Sequence, residues 1–361
     1  MAIINFGNAI SLKQAALLIT TAPKIRVHLE GPPGIGKSSI LDTIREMCPN
    51  HMIAEPIDAQ TLVLGDTGMP VVDRERMLTN YAPNSRFMIS QAIAANKPVV
   101  IMIDEFTKAS GQVRNMLHSL LEVKPRLGDL YLPEGSIIFT TGNLSGDGVG
   151  DAMLSHTRNR MTIVRIKPPE ADELVEWGVK TGRLHAAMMA FIGAYPQVLA
   201  SYTDPGETEN PYIYNPKAAQ RGYFTPRAAE RASEILSNRD AYDDALLTHS
   251  LIGTLGEATA RDLTAFIDYH DDLPKWADIV ANPDTARVPV GTGACAVMVF
   301  SAITRIEKDS IDPFMTYLER LDKEWQATFA INVAKAPDKV DIVFNKSKKF
   351  HAWLLANEDL L

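Results

Sequence analysis

A chain of 361 residues exceeds what one hydrophobic core organises and predicts two or three domains. Its 46% apolar and 22% charged residues are those of an ordinary globular protein, which excludes extensive disorder. A formal net charge of -8 argues against a protein that coats nucleic acid with its whole surface, while leaving room for a locally basic groove.

The longest apolar run, Ala294 to Phe300, falls far short of the roughly 20 residues that span a bilayer, so no membrane insertion is expected. Met1-Ala2-Ile3-Ile4-Asn5 has no basic stretch ahead of an apolar one, so no signal peptide is expected. The two cysteines, Cys48 and Cys295, give neither metal spacing nor a disulfide framework. They read as buried small apolar residues of a protein in the reducing cytoplasm.

Residues 1–167 alternate helix-like and strand-like segments, as a doubly wound α/β sheet does. Leu12 to Thr21 predicts a short helix. Lys24 to Glu30 predicts a strand, with more polarity than one buried on both faces should carry. Ser38 to Met47 predicts a helix with Ile40, Leu41, Ile44 and Met47 on one stripe, ending near Pro49. Val99 to Ile103 is purely apolar, as a central parallel strand is. Thr107 to Glu122 predicts a helix burying Val113, Met116, Leu117, Leu120 and Leu121. Arg126 to Pro133 reads as a short hairpin, and Ser136 to Thr141 and Met161 to Ile166 as two further strands. Beyond Lys167-Pro168-Pro169 the pattern is mainly helical, broken by a long loop at 203–224 and a second break at 282–293.

Gly31-Pro32-Pro33-Gly34-Ile35-Gly36-Lys37-Ser38 fits G-x-x-x-x-G-K-[ST] between a strand and a helix. The glycines let backbone N–H groups surround phosphates, and the following helix turns its positive end to the anion. Lys37 supplies a mobile ammonium for the β- and γ-phosphates, and Ser38 a hydroxyl ligand for Mg²⁺. Ser39 completes the nucleotide-binding stretch. ATP and Mg²⁺ are thus the expected ligands.

Ile101-Met102-Ile103-Asp104-Glu105 ends an apolar strand with two acids. Parallel sheets place ligands at the carboxyl ends of their strands, so this end meets the phosphate loop. Asp104 suits Mg²⁺, and Glu105 suits polarising the water that attacks the γ-phosphate. A guanine-reading N-K-x-D motif is missing: Asn96-Lys97-Pro98-Val99 and Asn345-Lys346-Ser347-Lys348 both lack its aspartate.

Taken in order, these motifs resemble those of an AAA+ ATPase, and more narrowly the MoxR-related branch of the dynein-related subfamily. The resemblance covers roughly residues 8–240. It implies that Asn143, in Thr140-Thr141-Gly142-Asn143, is the sensor 1 amide that orients the attacking water. It implies that Leu64-Gly65-Asp66-Thr67-Gly68-Met69-Pro70-Val71 is an insertion in the second helix, projecting toward a ring's pore. Leu127 to Pro133 is similar to the hairpin before sensor 1. His156-Thr157-Arg158-Asn159-Arg160 is similar to the stretch carrying arginine fingers, with Arg160 favoured and Arg158 the alternative. Thr225-Pro226-Arg227 resembles sensor 2, with Thr225 as N-cap and Arg227 in a first helical turn.

The fold class so implied is α/β: a P-loop αβα core with a parallel sheet over 1–168. An all-α lid over 169–240 follows, then a helical C-terminal extension over 241–361 that matches no motif. A trans arginine implies a homo-oligomeric ring, a hexamer. The ring would remodel or activate a protein client, such as one carrying a von Willebrand factor A domain. The alternatives are a ring that binds or translocates nucleic acid, and a nucleotide-gated assembly module. His118, Trp177, Trp276, Trp325 and Trp353 read as structural, and Lys346-Ser347-Lys348-Lys349 as a solvated helix face.

Overall fold

The computed structural model describes residues 9–143, 153, 155–202, 204–215 and 222–358. The N-terminal pentapeptide, the side chain of His156 and part of the 203–224 loop lie outside the described residues. The chain divides into two compact units, Met1–Pro168 and Pro169–Leu361.

The first unit opens with α1 (Leu12–Thr21), whose start is fixed by reciprocal bonds between Ser11 and Gln14. Strand β1 (Val27–Glu30) leads into the phosphate loop and α2 (Ile40–Met47). Short strands β2 (Met52–Ile53) and β3 (Ile57–Asp58) precede α3 (Leu64–Thr67). A β-hairpin of β4 (Gly68–Asp73) and β5 (Leu78–Pro83) follows, then α4 (Ile89–Ala95) and β6 (Val99–Asp104). After α5 (Gly111–Leu117) come the hairpin strands β7 (Arg126–Leu127) and β8 (Leu130–Tyr131), then β9 (Ile137–Gly142), α6 (Ser155–Arg158) and β10 (Thr162–Arg165).

The main sheet is parallel, in the order β10-β1-β9-β6-β2, with β3 also pairing β6. Strand periodicity alternates side chains between faces. Val100 and Met102 of β6 therefore join Ile137 and Phe139 of β9 in one core with α1 and α2. Val99, Ile101 and Ile103 turn the other way, joining Ile138, α4 and α5. Two apolar layers on one sheet make the αβα sandwich that the sequence predicts.

Three local expectations need correction. The helix after the phosphate loop starts at Ile40, because Lys37–Ser39 winds as a tighter 3-10 turn. The Thr107–Glu122 helix is broken into a 3-10 turn at Phe106–Lys108, α5, and a second 3-10 turn at His118–Leu121. The tighter winding shifts the helical stripe, and Met116 is exposed while Val113, Leu117, Leu120 and Leu121 are buried. Strand β1 starts at Val27, because Arg26 is turned into bonds with backbone carbonyls.

The segment expected as an insertion in the second helix, Leu64 to Val71, is α3 running into β4 of the β4–β5 hairpin. Met69, Val71, Val72, Met77, Leu78 and Tyr81 are all exposed on it. The base of this hairpin is tied to the β7–β8 hairpin: Tyr81 N donates to Asp129 Oδ2 at 2.6 Å, and Asp129 N to Tyr81 O at 3.0 Å. Between them Gly128 has φ +58, and a Cβ there would lie 2.1 Å from Tyr81 O, so only glycine closes this contact.

The second unit is helical: α7 (Ala171–Thr181), α8 (Ala186–Ala194), α9 (Pro226–Ser237), α10 (Asp244–Leu255), α11 (Glu257–Asp271) and α12 (Trp276–Ala281). It ends with α13 (Thr292–Arg305), α14 (Ile311–Leu318), α15 (Lys323–Val333), α16 (Pro337–Val340) and α17 (Lys348–Ala356). One apolar core runs from Leu174 to Trp353, through residues on both sides of position 240. In the loop after α8, Tyr212 Oη donates to Asp262 Oδ2 at 2.7 Å, which pins it to α11. Lys346, Lys348 and Lys349 are exposed around a buried Ser347, and Cys48 and Cys295 are buried free thiols. No helix among the described residues is long and apolar enough to cross a membrane.

Candidate functional site

Strands β1, β9 and β6 lie side by side, and their carboxyl ends bring three sequence-distant segments together. Glu30 pairs Gly142 across β1 and β9, and Gly31 N donates to Gly142 O at 3.3 Å. The phosphate loop, Asn143 and Asp104 thus leave the sheet at one edge.

Within the loop, Gly36 has φ +90, a left-handed conformation that glycine adopts without strain. Ile35 turns into the core beside α1 and α2, anchoring the loop from below. Pro32, Pro33, Gly34, Ser38 and Ser39 are half-buried. Ser39 Oγ donates to Gly36 O at 2.7 Å, bracing the turn. Lys37 is only 7% exposed, and its Nζ donates to Gly31 O at 2.8 Å, Pro32 O at 3.0 Å and Asn143 Oδ1 at 3.0 Å. The lysine and the asparagine expected to share a phosphate site are therefore in direct contact.

Ser38 Oγ stands 3.5 Å from Asp104 Oδ2. The other carboxylate oxygen, Oδ1, accepts a short bond from Thr141 Oγ1 and one from Glu105 N at 3.2 Å. Thr141 Oγ1 also lies 3.4 Å from Glu105 N. Thr141, buried on β9, so fixes the Asp104 rotamer and the turn into Glu105. A hydroxyl and a carboxylate oxygen facing each other suit a hard divalent cation such as Mg²⁺. Glu105 itself has φ +51, an uncommon left-handed backbone for a non-glycine residue, and its carboxylate lies 3.0 Å from Lys108 Nζ.

Two polar residues behind the site, one just before β1 and one in it, account for the unexpected polarity of the Lys24–Glu30 segment. His28 is fully buried, and its Nδ1 shares a 2.6 Å hydrogen bond with Thr140 Oγ1. Burial, and secondarily the nearby Lys37 charge, depress its pKa to about 4. Arg26, 5% exposed, donates Nε to Leu120 O at 3.1 Å, Nη2 to Glu122 O at 3.2 Å, and Nη1 to Pro23 O and Lys24 O. Sequence pattern marked both positions as anomalous polarity but gave neither a partner.

Arg158 and Arg160 flank the turn before β10, and both are exposed. Arg160 lines an open groove of about 650 Å³ with Lys24, Arg26 and Lys124 at the amino ends of β1 and β10. That edge of the sheet lies opposite the phosphate loop. In the second unit, Thr225 Oγ1 caps α9 by accepting from Ala228 N at 3.0 Å, and Arg227 is exposed in the first turn.

The family model described as AAA domain (dynein-related subfamily) matches residues 26–161. No curated protein matches the chain. Among solved structures, the chain is similar to the Thermotoga maritima RuvB Holliday junction branch migration motor at 15% identity. That match covers 83% of this chain and 85% of that one, with a TM-score of 0.37. A point mutant of the same RuvB is 16% identical, with the same coverages and a TM-score of 0.36. Residues 26–161 form an AAA domain on a parallel-sheet core, followed in the chain by a long run of helices.

Proposed function

We propose that this chain is an ATPase of the MoxR-related AAA+ type, which hydrolyses ATP between subunits of a hexameric ring to remodel or activate a protein client. The observation that carries the reading is the contact of Lys37 with Asn143 beside the facing pair Ser38 and Asp104. These groups come from three strand ends, and triphosphate hydrolysis is the chemistry that uses all of them.

The residues divide the work as follows. The backbone of Gly31, Gly34 and Gly36 and the ammonium of Lys37 hold the phosphates, and Ser39 braces their turn. Ser38 and Asp104 would hold Mg²⁺, which neutralises charge across the phosphate oxygens when bound. Glu105 takes the proton of the attacking water, and Asn143 orients that water. Lys108 Nζ lies 3.0 Å from the Glu105 carboxylate, so the ammonium stands beside the proposed base.

Arg160 precedes β10, so the strand separates it from its own phosphate loop by roughly 13 Å. That placement favours service to a neighbouring subunit, with Arg158 as its exposed neighbour in the same turn. Arg227, exposed at the start of α9, is assigned the sensor 2 role. The exposed apolar β4–β5 hairpin is the element offered to the client, for which a protein with a von Willebrand factor A domain is the class proposed.

The test is Glu105→Gln: ATP binding is retained and turnover falls to background. An unchanged rate removes the catalytic assignment. The ATPase rate is then measured with single- and double-stranded DNA and RNA. Salt-sensitive stimulation would transfer the reading to a nucleic-acid ring.

A further inference from the structure

The 3-10 turn after α5 carries His118, which touches both ends of the arginine-bearing segment. His118 Nδ1 lies 2.6 Å from Arg160 Nη1, and its Nε2 lies 3.3 Å from Thr157 Oγ1. A guanidinium only donates, so Nδ1 must be the acceptor and the ring proton sits on Nε2. Nε2–H then donates to Thr157, which is buried and also accepts Arg160 N on its carbonyl at 3.0 Å. The imidazole is thus fixed at one end by a buried hydroxyl and presents its lone pair to Arg160 at the other. A side chain as long as arginine has many rotamers to choose among, so a preset partner decides where its charge waits.

We infer that His118 is a positioning residue for Arg160: it holds the guanidinium at the subunit surface in the pose from which it reaches a neighbour's nucleotide. The inference rests on the proposed trans role of Arg160. His118 directly follows α5, which is joined to Glu105 by the 3-10 turn at Phe106–Lys108, so the hold on the arginine lies on the segment that leaves the protomer's own proposed catalytic carboxylate. One subunit's carboxylate segment therefore sets the arginine that it lends to the next.

Three substitutions separate positioning from mere packing. His118→Asn keeps an acceptor where Nδ1 stood. His118→Gln moves the amide to the Nε2 position, keeping the Thr157 contact and losing the acceptor. His118→Ala loses both. Steady-state ATPase of the full chain should show kcat reduced roughly ten- to a hundredfold in Gln and Ala, KM within about twofold, and Asn near wild type. In an Arg160→Ala background, His118→Gln should add nothing. Normal kcat in His118→Gln, beside a large loss in Arg160→Ala, overturns the positioning role alone. Normal kcat in Arg160→Ala overturns the trans role of Arg160, leaving Arg158 as the candidate, and the inference falls with it. A further loss on adding His118→Gln to Arg160→Ala also overturns the inference, since His118 would then act by another route.

Discussion

Lys37 Nζ donates to Asn143 Oδ1 at 3.0 Å, joining the end of β1 to the end of β9 across the middle of the sheet. The ammonium also donates to the carbonyls of Gly31 and Pro32, which holds it against the phosphate loop. Lys37→Ala should therefore abolish ATP binding, read by a fluorescent nucleotide. Asn143→Ala should leave binding within a fewfold and lower kcat by roughly a hundredfold, as the loss of one preorganised polar group does. Equal losses of binding in both variants would contradict the separate roles.

Thr141 is the hinge of the proposed metal site, because its hydroxyl contacts Asp104 and lies near Glu105 N. Thr141→Val preserves shape and removes those contacts. It should cost about 1 kcal/mol of stability. It should also raise the Mg²⁺ concentration for half-maximal ATPase severalfold, because Asp104 loses its fixed rotamer. A Mg²⁺ titration of the steady-state rate checks this.

Arg26 gives its hydrogen bonds to the carbonyls of Pro23, Lys24, Leu120 and Glu122. Its removal leaves buried acceptors unpaired, and burial lowers its pKa without providing a charge partner. Arg26→Met should destabilise the first unit by about 2 kcal/mol in urea unfolding. Arg26→Lys should not rescue it, since one ammonium cannot span carbonyls from two segments.

His28 makes stability depend on pH. Its pKa is about 4 when folded against 6.5 ordinarily, so the unfolded chain binds the proton first as pH falls. The contribution is complete above pH 6.5 and declines toward pH 4, by about 1.4 kcal/mol per pH unit. Denaturant midpoints of wild type at pH 7.5, 6 and 5 should fall more steeply than those of His28→Gln. Parallel slopes would remove His28 as the cause.

The meeting of the candidate site's segments was legible where residue type and spacing are both constrained. Gly31 to Ser38 and Asp104-Glu105 follow from what phosphates and a cation demand of a backbone, and an apolar strand placed them at the same edge. What periodicity missed depends on winding or on distant partners. Met116 faces water because two 3-10 turns flank α5 and change the angular step. Arg26 and His28 broke the strand pattern, yet Arg26 reaches Leu120, 94 residues away, besides its near carbonyls, and His28 reaches Thr140, 112 residues away, both beyond any local window. The insertion expected at Leu64 to Val71 continues as a β-hairpin to Pro83, where Val71, Val72 and Tyr81 favour strand. His118 read as structural, and only the fold brings it against Arg160.

The junction of Tyr81 with Asp129 has a mechanical consequence. The β4–β5 hairpin runs through α4 into β6, and the β7–β8 hairpin runs into β9. A pull on the exposed tip at Met77 is divided at that junction, one share passing along the chain toward Asp104 and the other crossing to the strand that ends at Asn143. Load on the hairpin thus reaches the strand that ends at Asp104 and the strand that ends at Asn143 together.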